Sequence, residues 1–296
     1  MNSPSFSAPA ARPEPAPATR YQHHEIDGLR LFVRTAGDRE RPAIVLLHGF
    51  PSSSHMFRDL IPLLAPHFFV VAPDFPGFGH SDSPPLDRFP YTFDAIAGIV
   101  ERLLEVLGVA RYVHYLHDYG GPVGWRLARR QPERVLGQVI QNANAYLAGV
   151  SPAVSEALMP LWQSNDEHGA RRMLLPETTR YQYLAGAHDP PALNPDPWTL
   201  DQALLDRPGN DLKQLALFRD YANNLAQYDA WHQYFRAHRP KTLIVWGRGD
   251  PFFTVDGAKA FRDDLPDAQL HFLDGGHFAL EEYAREIAQL ITQTFA

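Results

Sequence analysis

Two short runs constrain this chain most. Ala43–Leu47 (AIVLL) and Phe68–Ala72 (FFVVA) hold no polar position, and Thr242–Trp246 (TLIVW) nearly matches them. A half-exposed strand alternates apolar and polar residues. A five-residue run without alternation reads as a strand buried on both faces, as in a parallel sheet covered by helices. Leu29–Thr35, Tyr112–Leu116, Val135–Ile140 and Gln269–Leu273 read as further strands.

Helical patterns separate these runs. One helix is expected through Met56–Leu64. Another carries Ile96, Ile99, Val100, Leu103, Leu104 and Leu107 at helical spacing and stops at Gly108. A third covers Val123–Arg130. The last puts Leu280, Tyr283, Ile287, Leu290, Ile291 and Phe295 on one face. Strand signals cease over 145–235, where Pro, Tyr, Trp and polar residues surround helical fragments at Val154–Trp162 and Leu212–Leu225. The pattern predicts an α/β protein: a mostly parallel sheet, helices on both faces and a helical cap inserted late. The expected division is a core of 21–144 and 236–296, a cap of 145–235, and a disordered Pro/Ala-rich tail of 1–20 that holds Pro4, Pro9, Pro13, Pro15 and Pro17.

Composition removes several functions. Of 296 residues, 45% are hydrophobic and 21% charged, enough for a sizeable core. The charge balance, 27 − 34 = −7, and the lack of a basic run argue against nucleic-acid binding. No apolar stretch reaches the roughly 18 residues of a membrane span. The start lacks the charged and apolar segments of a secretory signal, so the cytoplasm is the expected location. With no cysteine, disulfides, thiolate metal sites, iron–sulfur clusters and cysteine nucleophiles are excluded. No HExxH pair occurs, and Gly77-Phe78-Gly79 lacks the third glycine of a dinucleotide loop, so no metal or cofactor is expected. A homodimer is left open.

Open α/β sheets bind ligands at the carboxyl ends of their strands. The segments following the strands read His48-Gly49-Phe50-Pro51, Pro73-Asp74-Phe75-Pro76-Gly77, His117-Asp118-Tyr119-Gly120-Gly121, Gly247-Arg248-Gly249-Asp250 and Asp274-Gly275-Gly276-His277. Taken singly, each has an ordinary reading. Asp118 suits a helix N-cap, Asp250 a turn, and His277 a structural histidine.

Together, and in this order, they resemble the α/β-hydrolase fold from about residue 25 onward. That fold carries its nucleophile on a sharp strand-to-helix turn, usually G-x-S-x-G; here the turn reads Leu116-His117-Asp118-Tyr119-Gly120. The family order of nucleophile, acid and histidine then implies Asp118, Asp250 and His277, with the backbone N–H groups of Phe50 and Tyr119 as oxyanion hole. Aspartate at the elbow resembles the branch of epoxide hydrolases and haloalkane dehalogenases. A carboxylate suits displacement at an sp³ carbon, forming an ester that His277 and water then hydrolyse.

The resemblance implies an epoxide hydrolase first, acting on a small apolar epoxide. Cap tyrosines would protonate the epoxide oxygen: Tyr181, in Tyr181-Gln182, and Tyr221, with Tyr183, Tyr228 and Tyr234 in reserve. Ordinary packing aromatics are the competing reading. A haloalkane or haloacid dehalogenase is the alternative, although Tyr119 and Phe50 stand where such enzymes usually have Trp and often have Asn. A ligand-binding member without turnover is a further alternative, which the full set of three residues disfavours. His48, Trp162, Phe218, Phe253 and Phe278 are the candidate pocket residues, with Trp198 and Phe252 beside them.

Overall fold

The structure, a computed structural model, describes residues 18–296. Most of the expected tail, 1–17, lies outside the described residues, and Arg20 already begins the first strand. Strands β1 (Arg20–Ile26), β2 (Leu29–Ala36), β3 (Ala43–Leu47), β4 (Phe69–Pro73), β5 (Tyr112–His117), β6 (Val135–Gln141), β7 (Lys241–Gly247) and β8 (Gln269–Leu273) form one sheet in the order β1-β2-β4-β3-β5-β6-β7-β8. From β4 to β8 neighbours run parallel, while β1–β2 and β2–β4 are antiparallel. Every residue of β3 and β5 is buried, as expected of central strands under two helical layers. β1 carries no apolar run, so its sequence gave no strand signal. It is held by the two-residue turn Asp27-Gly28, both residues at positive φ, which pairs it with β2.

Helices α1 (Leu60–Leu64) and α11 (Leu280–Phe295) cover one face, and α2 (Phe93–Val106), α3 (Gly120–Arg130) and α10 (Val255–Asp264) the other. The helix expected through Met56–Leu64 is a 3-10 turn at Ser54–Phe57 followed by α1. Pro62 has no N–H for the Arg58 carbonyl, which weakens a continuous helix there. Between β6 and β7 the chain makes a helical insertion: α4 (Pro152–Ser164), α5 (His168–Arg172), α6 (Pro176–Leu184), α7 (Asp196–Leu205), α8 (Asn210–Leu225) and α9 (Tyr228–His238). The two fragments expected here lie inside α4 and α8. α9 leaves the insertion to pack on the core, with Trp231 5.0 Å from Trp125 and Phe235 5.9 Å from that ring. Among the described residues no helix is long and apolar enough to cross a membrane.

Candidate active site

The carboxyl ends of β3, β5, β6, β7 and β8 meet beneath the insertion. Asp118 follows β5 with a left-handed backbone, φ +48°, a conformation rare outside glycine, asparagine and aspartate. This sharp bend lifts its carboxylate off the sheet. The loop after β3 closes on it, and Phe50 N–H donates to Asp118 Oδ1 at 2.7 Å. Tyr119 N–H is the second backbone donor. Gly49 makes this approach feasible, since a Cβ there would collide with the Asp118 side chain.

His277 and Asp250 come from the loops after β8 and β7. His277 Nδ1 donates to Asp250 Oδ2 at 2.8 Å, leaving Nε2 free. The same oxygen accepts Asn142 Nδ2 at 2.8 Å, while Oδ1 accepts the N–H groups of Phe252 (2.7 Å) and Phe253 (3.1 Å). A buried carboxyl group bonded to four donors is held in place and so holds the imidazole orientation. Sequence reasoning passed over Asn142, although it sits just past the carboxyl end of β6, where site residues gather. Its side chain also ties β6 to the Gly247 peptide of β7.

The electrostatics follow from burial. Desolvation pushes Asp118 up to about 6, against the lowering effect of His277 and the two backbone donors. Burial opposes charge on His277, but Asp250 and Asp118 outweigh it, and the net shift is upward. His117 lies beside His277 with ring centroids 4.7 Å apart; burial, then His277, hold it well below the usual histidine range. It therefore packs there as a neutral ring.

A small cavity of about 50 Å³ opens over Asp118 and His277. Its floor is Phe50, Asp118, Tyr119 and His277. Phe252 and Phe253 form one wall, and the insertion supplies the roof through residues such as Leu158, Met173, Phe218 and Tyr221. Of the expected pocket residues, Phe218 and Phe253 line this cavity and three do not. His48 lies behind the β3 loop, accepting Phe75 N–H at 3.0 Å on Nε2 and facing Gly49 O through Nδ1 at 3.1 Å. Trp162 sits one layer out, stacked on Tyr221 at an interplanar angle of 3°, with its indole N–H on Phe218 O. Phe278 is turned away from the cavity and stacks on Tyr183, centroids 3.9 Å apart.

The expected cap tyrosines part company. Tyr221 is buried, lines the cavity and is hydrogen-bonded to Tyr228, which accepts Asn144 Nδ2 at 3.2 Å. Tyr181 is 53% exposed, outside the cavity, with its ring edge-on to Phe252. The phase of α6 explains this: Thr179, Gln182 and Tyr183 form its buried face, and Tyr183 is held by Phe278 and Asp201. Tyr181 then falls on the opposite side, and Gln182 takes the place in the cavity. Of the reserve tyrosines, neither Tyr183 nor Tyr234 lines the cavity. Among the described residues no group of three or more His, Asp or Glu side chains is placed to hold a metal ion.

A fold carrying an elbow aspartate, a histidine–carboxylate pair and backbone donors on one carboxylate oxygen has the parts of a hydrolytic site. Comparison with known proteins agrees: residues 42–284 match the family model described as alpha/beta hydrolase fold, and the chain belongs to that family. It is 39% identical over 276 residues to the uncharacterized hydrolase YNR064C of Saccharomyces cerevisiae, covering 91% of this chain and 94% of the yeast protein. Over 135 residues it is 33% identical to epoxide hydrolase 4 of Homo sapiens, covering 45% of this chain and 37% of the human protein. The crystal structure of haloalkane dehalogenase DbeA from Bradyrhizobium elkani USDA94 superposes with a TM-score of 0.75 at 22% identity, covering 94% of this chain and 99% of that one. The chain is thus a hydrolase of the alpha/beta family, similar to epoxide hydrolases and haloalkane dehalogenases.

Proposed function

We propose that this hydrolase works through a covalent ester on Asp118, and that its substrate is a small apolar epoxide opened to a vicinal diol. The observation that carries the reading is the setting of Asp118. Its carboxylate lies on the floor of an apolar cavity, with Oδ1 on the Phe50 N–H at 2.7 Å and the His277–Asp250 pair at its side. A cavity of about 50 Å³ is only a few times the space one water needs, which is about 10–15 Å³ on the same measure, so a substrate of few non-hydrogen atoms fits.

In the first step an Asp118 oxygen bonds to an epoxide carbon and the carbon–oxygen bond breaks. The electron pair stays on the epoxide oxygen, which takes a proton from Tyr221. In the second step His277 takes a proton from water, and the oxygen attacks the ester carbonyl. The developing oxyanion meets the N–H groups of Phe50 and Tyr119. Collapse expels the alcohol oxygen, which takes the proton from His277 and leaves Asp118 a carboxylic acid; that proton passes through solvent to the Tyr221 phenolate, restoring the Asp118 carboxylate and the Tyr221 phenol. Alkylation itself arms the base. One contribution that raises His277 is the Asp118 charge, and the ester has none, so the imidazole loses protons more readily when it is needed.

A halogenated substrate is the second reading. It is favoured by Tyr181 lying outside the cavity, which leaves Tyr221 as the insertion's single phenol there; a halide leaves without a proton. The test is a panel of short epoxides and haloalkanes in which diol and halide release are measured separately. A single turnover in ¹⁸O-water should place label in the Asp118 carboxylate. Label found only in the product of that first turnover would mean that water attacks the substrate directly, and the ester reading fails.

A further inference from the structure

In-line displacement places the leaving atom on the far side of the reacting carbon from the attacking oxygen. Asp118 attacks from the sheet side, so the leaving atom faces the insertion. Of the seven insertion residues lining the cavity, Val154, Ala157, Leu158, Met173 and Phe218 are apolar; the other two are Gln182 and Tyr221. Gln182 is 2% exposed, and its Nε2 has no hydrogen-bond partner. A buried amide donor left unpaired costs about 1–3 kcal/mol, which an acceptor entering the cavity would relieve.

The helix carrying this amide is registered against the site. Thr179 Oγ1 donates to Gln202 Oε1 at 2.6 Å, and Tyr183 bonds Asp201, both on α7. Just past α6 the chain lies backbone-to-backbone on the two loops that hold the histidine–carboxylate pair. A Cβ on Gly249 would sit 2.7 Å from the Gly186 Cα, and one on Gly276 would collide with the Ala185 carbonyl. Asp250 and His277 directly follow these two glycines. The segment carrying Gln182 is therefore held by two side-chain hydrogen bonds to α7 and by close backbone contacts just past its end.

We propose that the Gln182 side-chain amide is the insertion's hydrogen-bond donor to the leaving atom, acting beside Tyr221 on a small substrate whose leaving oxygen or halogen sits between them. The inference rests on the Asp118 ester reading. An amide donates a hydrogen bond but no proton, so Gln182 stabilises the departing electron pair and Tyr221 alone protonates an epoxide oxygen. The two donors are unequal, and the unequal pair serves both leaving groups.

The test follows ester formation by itself. In His277→Gln protein, 1,2-epoxybutane should add its whole mass, and 1-bromobutane a butyl group with release of bromide, to the peptide holding Asp118, read by intact-protein and peptide mass spectrometry. Adding Gln182→Met, which keeps the length without the donor, should slow adduct formation by about 10²-fold, the usual cost of one lost donor at a developing anion. With His277 restored, the rate at which the adduct decays should stay the same, which a merely structural role for Gln182 would not predict. Gln182→Glu at pH 8 provides a second variant of the same shape, should the methionine fail to fold; it should be at least as slow, because its carboxylate faces the leaving atom with acceptors only. Equal adduct rates in the parent and these variants overturn this inference and leave the ester reading intact. No adduct in the parent with either probe overturns the ester reading, and this inference with it.

Discussion

On the sheet side of the cavity, polar groups stand on loops that backbone geometry fixes. Asp118 projects from a left-handed residue, Phe50 presents its N–H from a glycine-assisted turn, and Asp250 is held by four donors. On the helical side, position depends on how short helices rotate as they pack. Tyr181 and Gln182 are neighbours in the chain; one faces solvent and the other the cavity. Reaction chemistry can be read where the backbone forces a side chain to its place. On the helical side, helix phase decides which side chain faces the cavity.

The sheet side should break hardest. On the ester reading, Asp118→Ala is expected to leave less than about a hundredth of turnover. More than that would move the nucleophile elsewhere. On the helical side, Tyr221→Phe should cut epoxide opening by about 10²–10⁴-fold, the range of a lost general acid, and slow a halide substrate much less. Equal losses for both would mean that Tyr221 positions rather than protonates.

A pH series sharpens the contrast. On the ester reading, Asp118, pushed up to about 6 by burial, attacks as an anion only above that pH. Single-turnover alkylation should therefore fall about tenfold per pH unit below it. In His277→Gln the limb should move to higher pH, because the imidazolium that lowers Asp118 is gone. A limb that stays put would mean the two groups do not sense each other.

The same burial has a stability consequence. The folded Asp118 ionises near 6 instead of its ordinary 3.8. The penalty for its charge is absent below about pH 4, grows between the two values and is complete above 6, where it amounts to about 3 kcal/mol. Asp118→Asn should thus raise Tm at pH 8 and change it far less at pH 4; the reverse order would contradict the desolvation. The smallest effect belongs to Tyr181→Phe, expected to alter turnover less than about threefold, because surface substitutions away from a site are usually within about 0.5 kcal/mol. A loss of the size expected for Tyr221 would show that α6 turns over when substrate binds.

The sequence by itself determined the sheet and the order of its loops. Fully apolar runs such as AIVLL can only be satisfied between two helical layers, and the residues after such strands must meet at one edge. The meeting of Asp118, Asp250 and His277, far apart in the chain, was legible for that reason, and that of Asn142 in principle. β1 was not, because its residues alternate weakly and only pairing with β2 across Asp27-Gly28 makes it a strand. Tertiary structure alone decided how the shortest helices of the insertion are turned. Short segments such as Pro176–Leu184 carry little periodicity of their own, so their phase comes from partners: Tyr183 on Phe278, Thr179 on Gln202, Gly186 on Gly249. A turn of about 100° per residue separates Tyr181 from Gln182, and packing energy distributed over those distant partners selects which of them enters the site.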